Sequence, residues 1–233
     1  MSNAQAARGK TPKAWAWSYS KLKNFETCPK RHYEIDLAKN YTDTSEALTW
    51  GNELHAAMAK ACIGAAPLPP EMAEYQYWVD RVKAGPGELH VEQKYAITAG
   101  FTKTSWFGSD AWYRGIADVV RIDGPVALAL DWKTGKVQPD SVQLALMAQC
   151  IFSAYPQLKK IRTEFVWLKE GDCTTPEVFD RADMSALWAG VLPRVSAMKQ
   201  AHDLQHYPPM PGKLCQRWCP VQSCIHHGKG PRR

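Results

Sequence analysis

A carboxylate and an ammonium group stand together at the end of a short apolar run near the middle of the chain. The run Val126–Leu130 is too short for a helix and is bounded by turn residues, so it predicts a buried strand. Asp131 and Lys133 follow it two residues apart, a spacing that places both side chains on one face of a strand. Because charged groups are costly to bury without partners, this pair indicates a site rather than packing. It suits phosphodiester hydrolysis, in which a carboxylate holds a divalent metal and a lysine positions water or neutralises developing charge.

A second acid, Asp118, ends the segment Gly115–Asp118 within the preceding predicted strand. Adjacent strands would bring Asp118 near Asp131 and so form an oxygen-ligand pair suited to Mg²⁺ or Mn²⁺. The alternative is that Asp118 only terminates its own strand. The presence of Asp131 and Lys133 downstream favours the metal-binding interpretation of Asp118.

Helical and strand patterns alternate along the chain, which places both acids on neighbouring strands with helices around them. Helices are predicted near Ser18–Cys28, Lys30–Leu37, Glu46–Ile63, Glu71–Lys83, Pro139–Ala154 and Met184–His202, the last with a kink or break at Pro193. Strands are predicted over Leu89–Ile97, Phe101–Phe107, Trp112–Ile122, Val126–Trp132 and Ile161–Leu168, with a short edge at Val178-Phe179.

The composition is that of an ordinary globular chain. Its 233 residues, 45% hydrophobic and 22% charged, can bury a sizeable core in one domain with an appendage. A net charge of +6 is compatible with an anionic polymer as partner without establishing one. No apolar run reaches the roughly 18 residues of a membrane span, and residues 1–13 are polar, so we expect an intracellular chain. We divide it into a mobile arm over residues 1–17, a main domain over 18–206 and a Cys-rich segment over 207–233.

The seven cysteines are unevenly distributed. Three stand alone in apolar or loop surroundings and are interpreted as inert small hydrophobes: Cys62, Cys150 and Cys173. Three more crowd into ten residues near the C-terminus: Cys215, Cys219 and Cys224. In an intracellular chain this clustering favours a metal or metal cluster over disulfides.

The order of the motifs resembles that of the PD-(D/E)XK nuclease superfamily, and of its RecB-like exonuclease branch in particular. Besides Asp118, the segments that carry the resemblance are Ser18-Tyr19-Ser20-Lys21-Leu22 with Cys28-Pro29, Gly51-Asn52-Glu53-Leu54-His55, Asp131-Trp132-Lys133-Thr134-Gly135 and Gln143-Leu144. The resemblance implies an α/β fold in which helices flank a central mixed β-sheet, as in the restriction-endonuclease-like core. It also implies a helical N-terminal region and a Cys-rich C-terminal staple.

The resemblance implies a catalytic divalent metal, Mg²⁺ or Mn²⁺, held by His55, Asp118, Asp131 and the backbone carbonyl of Trp132. A lone histidine on an alanine-rich helix is usually structural, so the role of His55 rests on the other motifs. Because an imidazole ligates Mn²⁺ more naturally than Mg²⁺, we expect Mn²⁺ to support more activity.

Three further positions bear on catalysis. By the same resemblance, Lys133 would orient and activate the attacking water, and Gln143 would position that water or the scissile phosphate. Glu92 matches an auxiliary acid of some members, and the alternative is an exposed strand carboxylate. The tyrosine expected four residues after Gln143 is Met147, which cannot donate a hydrogen bond to phosphate.

The C-terminal cysteines resemble the iron–sulfur staple of several RecB-like nucleases, including CRISPR-adaptation members. With Cys28 as the fourth ligand, the resemblance implies a [4Fe–4S] cluster held by Cys28, Cys215, Cys219 and Cys224. Such a staple would close a very long loop and make metal-binding energy part of the folding energy. A structural Zn²⁺ site that uses His226 or His227 as the fourth ligand is the alternative.

The function that the resemblance implies is a metal-dependent DNA exonuclease of recombination or repair, in a compact form in keeping with a phage-encoded enzyme. The partners would be DNA and a recombination or single-strand-annealing protein, in the cytoplasm of a bacterial or phage-infected host cell. Two alternatives stay open: a non-catalytic DNA-binding or scaffold module, for which the missing tyrosine counts, and a structure-selective endonuclease with the same chemistry.

Overall fold

The computed structural model of the protein describes residues 15–42, 45–171 and 174–229. Its helices are α1 (Tyr19–Thr27), α2 (Pro29–His32), α3 (Glu46–Cys62), α4 (Gln76–Ala84), α5 (Ser141–Ala154) and α6 (Met184–Asp203). A π-helical turn spans Tyr33–Leu37, and 3-10 turns span Pro70–Tyr75, Leu168–Glu170, Arg181–Asp183 and Lys213–Gln216. Its strands are β1 (Glu88–Ile97), β2 (Lys103–Thr104), β3 (Tyr113–Asp123), β4 (Val126–Lys133), β5 (Lys160–Trp167) and β6 (Thr174–Asp180). None of the described helices is long and apolar enough to cross a membrane.

The six strands form one sheet in the order β2-β1-β3-β4-β5-β6. Neighbouring strands are antiparallel except β4 and β5, which are parallel. A parallel pair needs a long crossover, and α5 provides it, whereas Gly124-Pro125 turn the chain tightly between β3 and β4. The expected α/β architecture with a central mixed sheet flanked by helices is confirmed.

Helices cover both faces of the sheet. On one face, α5 and α6 enclose a core that contains Ile151, Phe165 and Trp188. On the other face, α3 and α4 enclose a smaller core that contains Leu54 and Trp78. Because β4 contributes side chains to both cores, its sequence is a continuous apolar run instead of an alternating one.

Several element predictions need correction. The strand predicted over Phe101–Phe107 is wrong, because only Lys103–Thr104 pair with β1 and the chain then turns. The helix predicted over Glu71–Lys83 starts as a 3-10 turn and becomes α-helical only at Gln76. At the other end of the chain, α6 continues through Pro193 without a break, and the edge strand β6 is longer than the predicted dipeptide.

The packed part of the chain begins closer to the N-terminus than the sequence predicted. Trp17 is 1% exposed, its amide donates to the Trp112 carbonyl over 2.9 Å, and the Arg114 amide donates to the Trp17 carbonyl over 2.9 Å. The mobile arm predicted over residues 1–17 therefore overlaps core residues at its end, while residues 1–14 of it lie outside the described residues.

Arg121 of β3 fastens the connection between α4 and β1. Its buried guanidinium donates to four backbone carbonyls over 2.7–3.0 Å: those of Val82, Lys83, Pro86 and Gly87. Hydrogen bonds from a charged donor are stronger than those between neutral groups. Because these four bonds hold the residues directly before β1, they fix where β1 begins.

Two glycines lie near this connection, Gly87 just before β1 and Gly124 just after β3. Their substitution by alanine should affect stability unequally. Gly87 and Gly124 both have a positive φ, 79° and 55°, but a Cβ at Gly87 would lie 2.1 Å from the Ile122 carbonyl oxygen, whereas one at Gly124 meets no atom within 4 Å. We expect Gly124→Ala to lower the free energy of unfolding by about 1 kcal/mol. Gly87→Ala should lower it by roughly 3 kcal/mol or more, because the backbone of β1 or β3 must move. Urea unfolding of the two variants tests this, and equal losses would show that the close approach at Gly87 is not present.

Candidate active site

The strands β3 and β4 separate where the two predicted acids lie. Their ladder ends at the pair Val119 and Leu130, so the next residues across, Asp118 and Asp131, are not paired. The backbone amide of Trp132, left without a β3 carbonyl, donates instead to Asp118 Oδ2 over 2.7 Å. The structure thus places the two acids on neighbouring strands, just beyond the last pair of the β3–β4 ladder, with Asp118 in the middle of β3 and Asp131 near the end of β4.

A compact network links Asp131 to Lys133 and to α5. Lys133 Nζ lies 2.6 Å from Asp131 Oδ2 and donates to Gln143 Oε1 over 3.4 Å. Gln143 Nε2 donates to Asp131 Oδ1 over 3.1 Å. The ammonium group also lies 4.6 Å from the centre of the Phe165 ring. These contacts hold the amine in one place at the mouth of a buried strand.

On the α3 side, three potential ligands converge. His55 Nδ1 lies 3.5 Å from Asp118 Oδ2, and one atom each from His55, Glu92 and Asp118 lie within 4.8 Å of one another. Imidazole nitrogen and carboxylate oxygen suit a divalent cation such as Mn²⁺ or Mg²⁺. Among the described residues, Asp131 does not belong to this group, and its two oxygens contact Lys133 and Gln143.

An unusual backbone conformation brings Glu92 into the group. Glu92 lies inside β1 with a φ of 53°, in the left-handed region that non-glycine residues seldom adopt. Leu89 and Val91 before it face the α3 core, whereas Tyr95 and Ile97 after it face the α5 core, so the strand changes faces here. Strain of this kind costs on the order of 1 kcal/mol or more and concentrates at functional sites.

The strand opposite changes faces at the same level. In β3, Ala117 faces the α5 core and Val119 the α3 core, although residues two apart normally share a face. The register pairs Val91 with Val119, so Glu92 lies across from Asp118. The two reversals together direct both carboxylates toward α3.

The glycine of the α3 motif sets the distance of His55 from the sheet. A Cβ at Gly51 would lie 3.1 Å from the hydroxyl oxygen of Thr134, which directly follows β4. This approach is closer than most Cβ contacts, so a side chain at Gly51 would require a shift of a few tenths of an ångström by Thr134 or by α3. The glycine thus allows α3, which carries His55 one helical turn further along, to lie close to the end of β4.

Burial and neighbouring charges shift the proton affinities of the site. Burial raises the pKa of Asp131 to about 6 against the opposing effect of Lys133, and the charge of Asp118 adds to the rise. Burial and then the charge of Asp118 raise the pKa of Glu92. Burial by itself would lower the pKa of His55, but the hydrogen bond and charge of Asp118 raise it. The carboxylates therefore repel one another, and a cation would relieve that repulsion.

A cleft of about 1260 Å³ opens beside the network. Asp131, Lys133 and Gln143 line it together with residues from α1 and β3. Its basic side chains are Lys21, Lys23, Arg114, Lys133 and Lys136. Two carboxylates, Asp131 and Asp140, also line it, so positive side chains outnumber negative ones. Such an excess of positive charge attracts an anionic ligand.

The methionine that replaces the expected tyrosine lies on the wall of this cleft. Met147 lines the cleft and belongs to the α5 core at the same time. Three tyrosines from other elements line the same space: Tyr19, Tyr95 and Tyr113. The loss of a tyrosine on α5 therefore leaves phenol groups elsewhere in the cleft.

A contact between α1 and α5 supports Gln143 and was not foreseen from the sequence. Asp140 caps α5 through its side chain, which accepts from the Gln143 amide over 3.4 Å. The Tyr19 hydroxyl donates to the same carboxylate, and Lys23 Nζ lies 3.6 Å from it. The signal available in the sequence was an aspartate just after Pro139 at the start of a helix, a typical N-cap. Its partner on α1 had no local signal.

The four predicted cluster ligands lie around one small cavity. Cys28, Cys215, Cys219 and Cys224 line a space of about 200 Å³, which His226 also lines, and all four thiols are free. Of the remaining cysteines, Cys62 and Cys150 are buried in the two cores, and Cys173 lies outside the described residues.

The C-terminal segment reaches this cavity by lying along the N-terminal helices. The Lys30 amide donates to the Pro208 carbonyl over 3.3 Å, and the Thr42 amide donates to the Pro220 carbonyl over 3.2 Å. The Met210 amide lies 3.2 Å from the sulfur of Cys28 as a donor. Backbone contacts thus bring the two ends of the described chain together.

The model of the PD-(D/E)XK nuclease superfamily matches residues 16–224. Among solved structures, the "Putative exonuclease" from Eubacterium rectale has a TM-score of 0.57 at 10% identity, over 94% of this chain and 90% of that chain. The structure of SSO0001 matches with a TM-score of 0.41 at 12% identity, over the same shares. At 10% identity, the likeness to the first of these structures concerns the fold alone. No curated protein matches the chain by sequence.

The raised pKa of Asp131 predicts that its charge destabilises the metal-free protein. The folded protein holds a proton on Asp131 up to about pH 6, whereas the unfolded chain releases it near pH 4. Stability is therefore lost as the pH rises through this window, by roughly 3 kcal/mol at pH 7.5 and about half of that at pH 5. Asp131→Asn should recover this loss.

The measurement is urea unfolding in EDTA at both pH values, with the exposed Asp123→Asn as the matched control. Asp131→Asn should be more stable than the wild type, and the difference should shrink at pH 5. A variant that is less stable at both pH values would contradict the prediction.

Proposed function

Because the chain belongs to the PD-(D/E)XK nuclease superfamily, we propose that it is a divalent-metal-dependent deoxyribonuclease, an exonuclease that acts in DNA recombination or repair. The observation that carries this proposal is the Asp118–Trp132 hydrogen bond at the point where β3 and β4 separate. It holds both acids and the lysine of the family motif just beyond the last pair of the β3–β4 ladder, beside a cleft with five basic side chains.

The residues present fit a divalent cation. His55, Glu92 and Asp118 offer one nitrogen and two carboxylate donors within 4.8 Å of one another. Asp131 and the carbonyl of Trp132 would complete the set, as the sequence motif implies. When bound, the cation supplies Lewis-acid activation of the phosphate and lowers the pKa of a coordinated water.

The chain itself contributes a fixed ammonium group. Lys133 is held by Asp131 and Gln143 at the edge of the cleft, so its amine can donate to an attacking water or to a phosphate oxygen without reorganising. Gln143 contacts both partners and keeps their spacing, and Asp140 fixes the helical turn from which it projects. The basic residues of the cleft hold the phosphate backbone.

The main rival is a non-catalytic DNA-binding module on the same fold. The missing tyrosine favoured it, but Met147 is accommodated in the core and the acids, the lysine and the glutamine stay connected. A dead enzyme would have no need of the strained Glu92. A structure-selective endonuclease would use the same residues, so only the substrate separates it from an exonuclease.

The test is digestion of end-labelled linear DNA with Mg²⁺ or Mn²⁺, alongside covalently closed circular DNA of the same sequence. An exonuclease degrades the linear form and spares the circle. Lys133→Ala should reduce cleavage by at least about 100-fold while DNA binding persists, because a fixed donor to the developing charge is lost.

Lys159→Ala is the matched control, because this exposed lysine lies outside the cleft. Through the imidazole of His55, Mn²⁺ should support faster cleavage than Mg²⁺. Full activity of Lys133→Ala would refute the catalytic assignment, whereas cutting of the closed circle would replace the exonuclease by an endonuclease.

For the cysteine cavity, we propose a [4Fe–4S] cluster held by Cys28, Cys215, Cys219 and Cys224. The support is that all four thiols line one cavity of about 200 Å³, which gives a cluster its four thiolate ligands. The alternative is a structural zinc ion held by three of the thiolates and a histidine, and His226 lines the same cavity.

Anaerobically purified protein should contain about four iron and four sulfide per chain and absorb visible light. Cys28→Ser should lose most of the iron and lower the thermal midpoint, because the cluster closes a long loop. The control is Cys62→Ser, at a core cysteine outside the cavity, which should keep its iron. A colourless wild-type protein with one zinc per chain would exclude the cluster.

A further inference from the structure

The loop between β2 and β3 holds two aromatic side chains at the edge of the cleft. Trp106 lines the cleft, and Phe107 beside it is 87% exposed. The loop is fixed from within, since Thr104 Oγ1 donates to Asp110 Oδ1 over 2.5 Å. A Cβ at Gly108 would lie 2.7 Å from each of these oxygens, so the loop is also closely packed. Phe107 is therefore held in solvent by an ordered loop.

A single exposed phenylalanine is ordinary on a protein surface. Trp106 is less ordinary, because two cationic side chains lie close to its ring. Lys94 Nζ lies 5.9 Å and Arg114 Cζ 5.8 Å from the centre of the Trp106 ring. Neither cation forms an ion pair within the part of the chain that the structure describes. The Arg114 Nε atom is buried and has no hydrogen-bond partner there. Two positive charges that form no ion pair among the described residues thus lie close to the ring.

This patch is continuous with the candidate active site. Arg114 and Trp106 line the same cleft as Lys133, and Lys94 follows Glu92 by two residues on β1. A ligand that touches Trp106 and extends along the cleft would therefore reach the amine of Lys133.

We propose that Lys94, Trp106, Phe107 and Arg114 form an aromatic lip that binds single-stranded DNA on its way to the scissile position. This rests on the proposed nuclease function and names the form of DNA that the cleft takes. Unpaired bases would stack on the two rings while the two cations neutralise phosphates. A duplex covers the faces of its bases, so it would meet the cations without using the rings.

The experiment measures binding by fluorescence anisotropy at fixed salt, in a Lys133→Ala background so that DNA is not cut. Three labelled probes are compared: a 20-residue oligothymidylate, an abasic strand with the same number of phosphates, and a blunt duplex of 20 base pairs. The parent protein should bind oligothymidylate more tightly than the abasic strand by about tenfold, because stacking adds to the phosphate contacts.

Trp106→Ala should remove most of that preference and leave the affinity for the abasic strand and the duplex nearly unchanged. Trp106→Phe should restore a large part of the preference, since a smaller ring still stacks. Phe107→Ala gives an independent reading in case Trp106→Ala folds poorly, because the Phe107 side chain makes little contact with the protein. Tyr77→Ala, at an aromatic residue of α4 that is 55% exposed and outside the cleft, should change no affinity.

The proposal is overturned if the parent protein binds oligothymidylate and the abasic strand equally, or if Trp106→Ala weakens all three probes alike. Preferred binding of the duplex would also overturn it. The outcome is separate from the proposed function, because binding is read in a variant that does not cut. A wild-type protein that fails to cleave DNA but shows the stacking preference would remove the nuclease assignment and keep the lip.

Discussion

The hydrogen bond from the Trp132 amide to the Asp118 carboxylate closes the gap that opens where β3 and β4 separate, and the other site residues are arranged around it. A strand amide that loses its partner in a buried region must find another acceptor. The carboxylate that provides it becomes fixed beside Asp131, at a point where both strands are anchored in the sheet. One hydrogen bond therefore satisfies a backbone amide and fixes a residue of the candidate active site.

The same separation creates two environments at the end of β4. Toward α3, the acids gather with His55 and repel one another, which favours a cation. Toward α5, Asp131 is tied to Lys133 and Gln143 beside a basic cleft. A polyanionic chain in the cleft and a cation held near His55 would thus lie on the two sides of the end of β4. The strain of Glu92 is the local cost of turning a third acid to the cation side.

The sequence predicted what depends on short-range pattern. The apolar run of β4, the spacing of Asp131 and Lys133, and the helix that carries His55 each follow from neighbouring residues, and the mixed sheet followed from the order of motifs. The strand over Phe101–Phe107 was predicted too long, because Phe101 and Phe107 are residue types typical of strands, whereas only Lys103–Thr104 pair with β1 and the Thr104–Asp110 hydrogen bond closes a loop after them. Two features could not be predicted from local sequence. The left-handed conformation of Glu92 depends on how β1 crosses β3, and the Tyr19–Asp140 contact joins residues 121 positions apart.

The meeting of the chain ends has a consequence for the order of synthesis. Cys28 and the backbone amides near it contact the segment from Pro208 to Cys224. This segment is translated after all the strands of the sheet and the helices that cover it. The first helices therefore keep part of their surface open until the segment from Pro208 to Cys224 has left the ribosome. α1 also carries Tyr19, the partner of the α5 cap, so a helix that is made early and a helix that is made late place Gln143 together. The surface around Cys28 is closed only after the residues that form the sheet have been synthesised.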